Sequence, residues 1–202
     1  MLYFSYMTDF SKYLQPVRRA ADIPQALRRT PLGRLLEYHN CARPPLKHHK
    51  AEILVCMCMD NRKQLSLPDN FAYILRTGGG NMRYNEFKIS YAVGIGGVRH
   101  VAMIAHDNCG MVDLAARRDK FVSGLVKNGG WTRKDALRHF LKNAPRFEIG
   151  NELEFVQAEA KRLNKKYPRV KVVPMFYRVA DRKLYLVKAP WITSYFQLIK
   201  VR

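Results

Sequence analysis

Cysteine is scarce, with four residues in a chain of 202, at positions 41, 56, 58 and 109. So few, so unevenly spaced, exclude the disulfide framework of a small secreted domain and point to a reducing compartment, so we expect a cytoplasmic protein. Long apolar runs are also missing, and none reaches the roughly 20 residues of a membrane span. The opening MLYFSYMTDFSKYL is aromatic, has no N-terminal basic cluster, and meets Asp9 and Lys12 too early for a signal-peptide core. No linker rich in Ser, Gly or Pro divides the chain, and there are no internal repeats or low-complexity tracts. We read one α/β domain over 51–190, preceded by an N-terminal arm with helical character over 1–50 and followed by a tail over 191–202.

Acidic residues are few as well, 16 against 36 Lys and Arg, which leaves a formal charge of +20. Such an excess implies either an anionic partner or a strongly repelling, soluble surface. Its distribution decides the reading. Residues 51–110 carry six basic and five acidic side chains, so the surplus lies outside them, mainly in 1–50, 117–146 and 161–177. With no zinc-finger spacing and no aromatic RNA-binding signature, these stretches read as solvated basic faces rather than a nucleic-acid surface.

What the chain does have is one organising stretch, AEILVCMCMDNR at 51–62. Ile53 to Met59 is continuously apolar, the pattern of a strand buried on both faces of a parallel sheet. In such sheets ligands bind beyond the carboxyl ends of the strands, where Cys58, Asp60 and Arg62 follow one another at alternate positions. Phe71 to Arg76 reads as a second strand closing in Gly78-Gly79-Gly80-Asn81, a turn without the GxGxxG spacing of a dinucleotide site. Val98 to Ala105 is a third buried strand, ending in His106-Asp107-Asn108-Cys109-Gly110. Glu86 to Val93 reads as a helix capped by the glycines at 94, 96 and 97. Helices are further expected over Pro24 to Tyr38, Met111 to Lys127, Thr132 to Leu141 and Glu152 to Lys166, with Pro145 and Gly150 between the last two. Val170 to Val179 and Leu184 to Val187 are the last strands, antiparallel across the turn at 180–183. Pro174 places the former at an edge or in an irregular position.

Cys58, His106 and Cys109 supply two thiolates and one imidazole from strand ends, a set that selects zinc among the available metals. Three protein ligands leave a fourth position open, as at a catalytic zinc. Cys56 points into the buried strand and reads as a small hydrophobe. Cys41 with His48 and His49 would be a rival cluster, but no regular element fixes them.

The pair CMDNR (Cys58 to Arg62) and HDNCG (His106 to Gly110) resembles the CxDxR and HxxC motifs of the β-class carbonic anhydrases, and the order of elements agrees from about Ala51 to Val187. The resemblance implies a mostly parallel central sheet flanked by helices, one Zn2+ per chain on Cys58, His106 and Cys109, and an Asp60–Arg62 dyad beside it. It also implies reversible hydration of carbon dioxide to bicarbonate, in a homodimer or higher homo-oligomer. Relatives of this fold hydrolyse carbon disulfide or carbonyl sulfide with the same ligands, so the linear substrate stays open. A basic nucleic-acid-binding protein with a structural zinc is the distant alternative.

Overall fold

The computed structural model describes residues 10–188. The aromatic residues before Phe10 and the tail over 191–202 lie outside the described residues. Six strands, Leu14–Pro16 (β1), Ile53–Cys58 (β2), Ala72–Thr77 (β3), His100–His106 (β4), Lys171–Arg178 (β5) and Lys183–Val187 (β6), form a sheet in the spatial order β1-β6-β5-β4-β2-β3. Strands β3, β2, β4 and β5 are mutually parallel, while β6 and β1 add antiparallel strands at one side. All six residues of β2 are buried, because the strand has a parallel neighbour on each side and a core on each face.

Period-two alternation divides the strands between those two cores. Ile53, Val55 and Met57, with Ala102, Ile104 and Met175, pack with side chains of Gln25–Arg28 (α1) and Pro31–Cys41 (α2). Leu54 and Cys56, with Val101, Met103 and Phe176, pack with Glu86–Gly94 (α3) and Glu152–Lys166 (α6). Cys58 continues this second row past the end of the core, into a small cluster with Cys109 and Ile149. Arg118–Gly129 (α4) and Arg133–Phe147 (α5) pack on each other through Val122, Ala136 and Phe140.

The described part of the arm covers its own domain: β1 pairs with β6, and Leu32, Leu35 and Leu36 lie in one of the two cores. Several sequence expectations need correction. The single helix expected over 24–38 is two, because Thr30 breaks off as the N-cap of α2 and accepts a hydrogen bond from the Gly33 amide. The helix expected from Met111 starts only at Arg118. Asp113 takes φ +51°, and the Asp113 and Leu114 amides donate to the Glu148 carboxylate instead of a helical ladder. Helix α5 runs through Pro145, which falls in its last turn and so forfeits one bond without stopping the helix.

Pro174 is not at an edge, since β5 lies between β4 and β6. The Lys171 amide donates towards β4, to the Arg99 carbonyl, while the Val172 amide donates to the side chain of Asn164. By alternation Pro174 shares the side of Val172, and pairing with β6 begins one residue later, at Met175. Its missing N–H therefore interrupts no ladder bond.

Candidate metal centre

Cys58 ends β2 and His106 ends β4, adjacent parallel strands whose register sets Met57 beside Ile104, so the two ends lie within one residue of each other. Cys109 returns over them from a turn in which Asn108 takes φ +54°. The donor atoms of Cys58, His106 and Cys109 lie within 4.8 Å of one another, and all three residues are buried. The two sulfurs are 4.0 Å apart, near the ~3.8 Å that two Zn–S bonds of ~2.3 Å span at a tetrahedral ion.

The histidine tautomer suits a metal. Nδ1 is 2.8 Å from the Asp107 carbonyl oxygen, which only accepts, so Nδ1 carries the proton and Nε2 keeps its lone pair. Nε2 is buried without a hydrogen-bond partner among the described residues. The hydrogen bond between the thiols pushes Cys58 well below the ordinary thiol range and Cys109 well above it, so the pair releases one proton readily and holds the other. A bound cation would remove both. Cys56, in contrast, is surrounded by apolar side chains, and burial pushes its thiol up.

Asp60 and Arg62 stand beside the cluster as an ion pair. Arg62 donates from its amide and Nε to Oδ1, at 2.9 and 3.0 Å, and from Nε and Nη2 to Oδ2, at 3.1 and 2.6 Å. These bonds hold the Asp60 carboxyl well below the usual carboxylate range. Arg62 also donates to the Asn108 carbonyl at 2.9 Å, tying the loop after β2 to the loop after β4. The glycine turn after β3 lets the backbone pass close by: Gly79 takes φ +62°, and a Cβ there would meet Ile149 at 2.7 Å. An apolar pocket of 370 Å³, bounded by Met59, Gly78, Met111, Phe140 and Phe147 among others, opens beside the cluster. On the other side, Arg62 borders a polar pocket of 530 Å³ with Tyr177, Arg182 and Lys183.

Solved structures share this architecture. A carbonic anhydrase from Glaciozyma antarctica superposes with a TM-score of 0.55 at 19% identity, over 70% of this chain and 85% of that one. The β-carbonic anhydrase isoform I of Trichomonas vaginalis gives 0.57 at 12%, over 73% and 90%. The apo form of a carbon disulfide hydrolase gives 0.50 at 16%, over 72% and 83%. The fold is that of the β-carbonic anhydrases. No protein-family model matches the chain, and no curated protein matches it.

Within that fold, the structure brings together Cys58, His106 and Cys109 and sets Asp60 and Arg62 next to them. His48, a member of the rival cluster considered from sequence, is instead bonded to the Tyr38 hydroxyl and the Glu52 carboxylate. Sequence reasoning missed several residues. Glu152, in the first turn of α6, accepts the Cys109 amide at 3.0 Å. Arg76, near the end of β3, donates to the Lys63 carbonyl at 2.9 Å, with longer contacts to those of Cys58 and Asp60. Lys63 is buried beneath the loop, where burial pushes its ammonium down and Cys58, Asp60 and Cys109 push it back up. Arg76 closes a strand at the site's end of the sheet, and that position was a signal. Nothing in the string DNRKQ marks Lys63 as buried.

Proposed function

We propose that the chain is a zinc enzyme that hydrates carbon dioxide reversibly to bicarbonate and a proton. The observation that carries this reading is the convergence of two thiols and a His106 Nε2 without a partner among the described residues, at and just past the ends of adjacent strands, beside a bonded Asp60–Arg62 pair. Bound there, zinc would supply the Lewis acidity that lets a water molecule ionise near neutral pH. The chain's own residues do the rest. Asp107, through its carbonyl, orients His106, and Glu152 steadies the backbone of Cys109. Asp60 accepts a hydrogen bond from the attacking water, while Arg62 keeps the carboxylate turned from the ligand cluster. The apolar pocket admits an uncharged linear substrate without competing hydrogen bonds, and the proton leaves to solvent.

That same pocket favours a second reading, hydrolysis of carbon disulfide or carbonyl sulfide, which are linear and apolar too. The three ligands need reduced thiols, which suits a cytoplasmic enzyme. The test is zinc per chain and stopped-flow proton release from carbon dioxide on one preparation, with sulfide release from carbon disulfide alongside. We expect about one zinc, lost in Cys58→Ser, His106→Ala and Cys109→Ser and kept in Cys56→Ser. A zinc-replete protein inert towards carbon dioxide but releasing sulfide would transfer the assignment to the second reading.

A further inference from the structure

Lys63 follows Arg62 directly, yet its side chain is 0% exposed while that of Arg62 is 42%. Its Nζ has no hydrogen-bond partner among the described residues. A buried ammonium carries three donors, and leaving it uncompensated is strongly unfavourable. The anionic groups that bear on it all belong to the metal centre: Asp60, whose Oδ1 is 4.0 Å away, and the thiols of Cys58 and Cys109. Asp60 does not take up its donors, because Nζ lies beyond hydrogen-bond distance of Oδ1 and the carboxylate is turned to Arg62.

The neighbouring carboxylates are engaged elsewhere. Asp60 is bonded to Arg62, Asp107 to the Val179 amide and Glu152 to the Cys109 amide. What Lys63 lacks among the described residues is an acceptor within hydrogen-bond distance, since Asp60 Oδ1 is 4.0 Å away.

We propose that Lys63 is an anion-binding residue of the site, whose ammonium receives a small monoanion of the bicarbonate class taken up beside Cys58, Cys109 and Asp60. This rests on the reading of the cluster as a zinc centre, and it assigns Lys63 to the charged product rather than to the uncharged substrate. Association with the anion gives the buried donors an acceptor.

The experiment is titration of the cobalt-substituted protein with thiocyanate and with bicarbonate, read by visible absorption, with metal content measured on each sample. Lys63→Met should keep its metal and bind both anions at least tenfold more weakly. Lys63→Arg should stay within about threefold of wild type. Lys63→Gln, which keeps an N–H donor but no charge, should weaken binding like Met and serves if the Met variant does not fold. Unchanged anion affinity in a metal-replete Lys63→Met or Lys63→Gln protein would overturn the proposal. So would loss of metal in both variants, or failure of both to fold, since Lys63 would then serve the centre or the fold instead. Wild-type activity separates the two claims. A wild type that does not hydrate carbon dioxide but binds thiocyanate through Lys63 would remove the proposed reaction and keep the anion site, and an active wild type indifferent to Lys63 would do the reverse.

Discussion

At the scale of single residues, the Asp60–Arg62 pair separates metal binding from turnover. Asp60 is two residues from Cys58, and a carboxylate at that distance can compete for a metal's open position. Its oxygens are instead turned to Arg62, which donates to them from its amide, Nε and Nη2. We expect Arg62→Ala to keep its zinc and lose most carbon dioxide hydration, seen as a fall of about 100-fold or more in kcat/KM between about pH 6.5 and 9. A zinc-replete variant as active as wild type would reduce the pair to an ordinary ion pair. The acid limb of stability gives a second reading of the same contact. Arg62 depresses the Asp60 pKa, so the pairing stabilises the folded chain above the ordinary carboxylate value near 4 and is lost as the pH falls towards the lower folded value. Arg62→Ala should flatten that limb. The Cys58, His106 and Cys109 cluster and the Asp60–Arg62 pair were legible in the sequence because each stands at or just past the end of an apolar strand. Lys63 was not, because its burial comes from the loop folding back under the Arg76 guanidinium, a long-range contact with no local pattern.

At the scale of elements, hydrophobic periodicity marked the five core strands and most helices, whereas proline misled where packing overrode it. Pro174 shows why. Asn164, on α6, donates to the Val172 carbonyl at 2.8 Å and accepts the Val172 amide at 3.0 Å, doing for β5 what a neighbouring strand would do. The start of β5 thus needs no partner on that side until Met175. Asn164→Ala would strip both bonds from a buried residue and leave its N–H and C=O without partners. We expect a loss of about 1–3 kcal/mol in chemical denaturation, with zinc binding intact in the folded fraction. A change below about 0.5 kcal/mol would show that water or a shift of β6 replaces the amide. The strand β1 escaped sequence reading for a different reason: three residues, Leu14–Pro16, carry too short a pattern, and it is the pairing with β6 that defines them.

At the scale of the whole molecule, the chain exposes an apolar face that its own described residues do not cover. Helix α3 buries Ile89 and Ala92 on the sheet, but Phe87, Tyr91 and Ile95, at i, i+4 and i+8, point outwards, with Phe87 80% and Ile95 75% exposed. A helix apolar on both sides is expected to be buried on both. Beside it runs β3, the edge strand on that side of the sheet, with Tyr73 and Ile74 also exposed. Its one charged residue, Arg76, is turned to the metal-site loop rather than guarding the edge. The charged residues of α3 are Glu86 and Lys88, and Glu86 is paired with Arg162 and Lys166 of α6. The face that results, an open strand edge flanked by an apolar helix, suits a second copy of the chain meeting it about a two-fold axis. We expect a dimer or higher oligomer by light scattering at micromolar concentration, and Phe87→Asp with Ile95→Asp should shift it to monomer while each chain keeps its zinc. A wild type that is already a monodisperse monomer would overturn the interface. An oligomer that survives both substitutions would place the contact elsewhere.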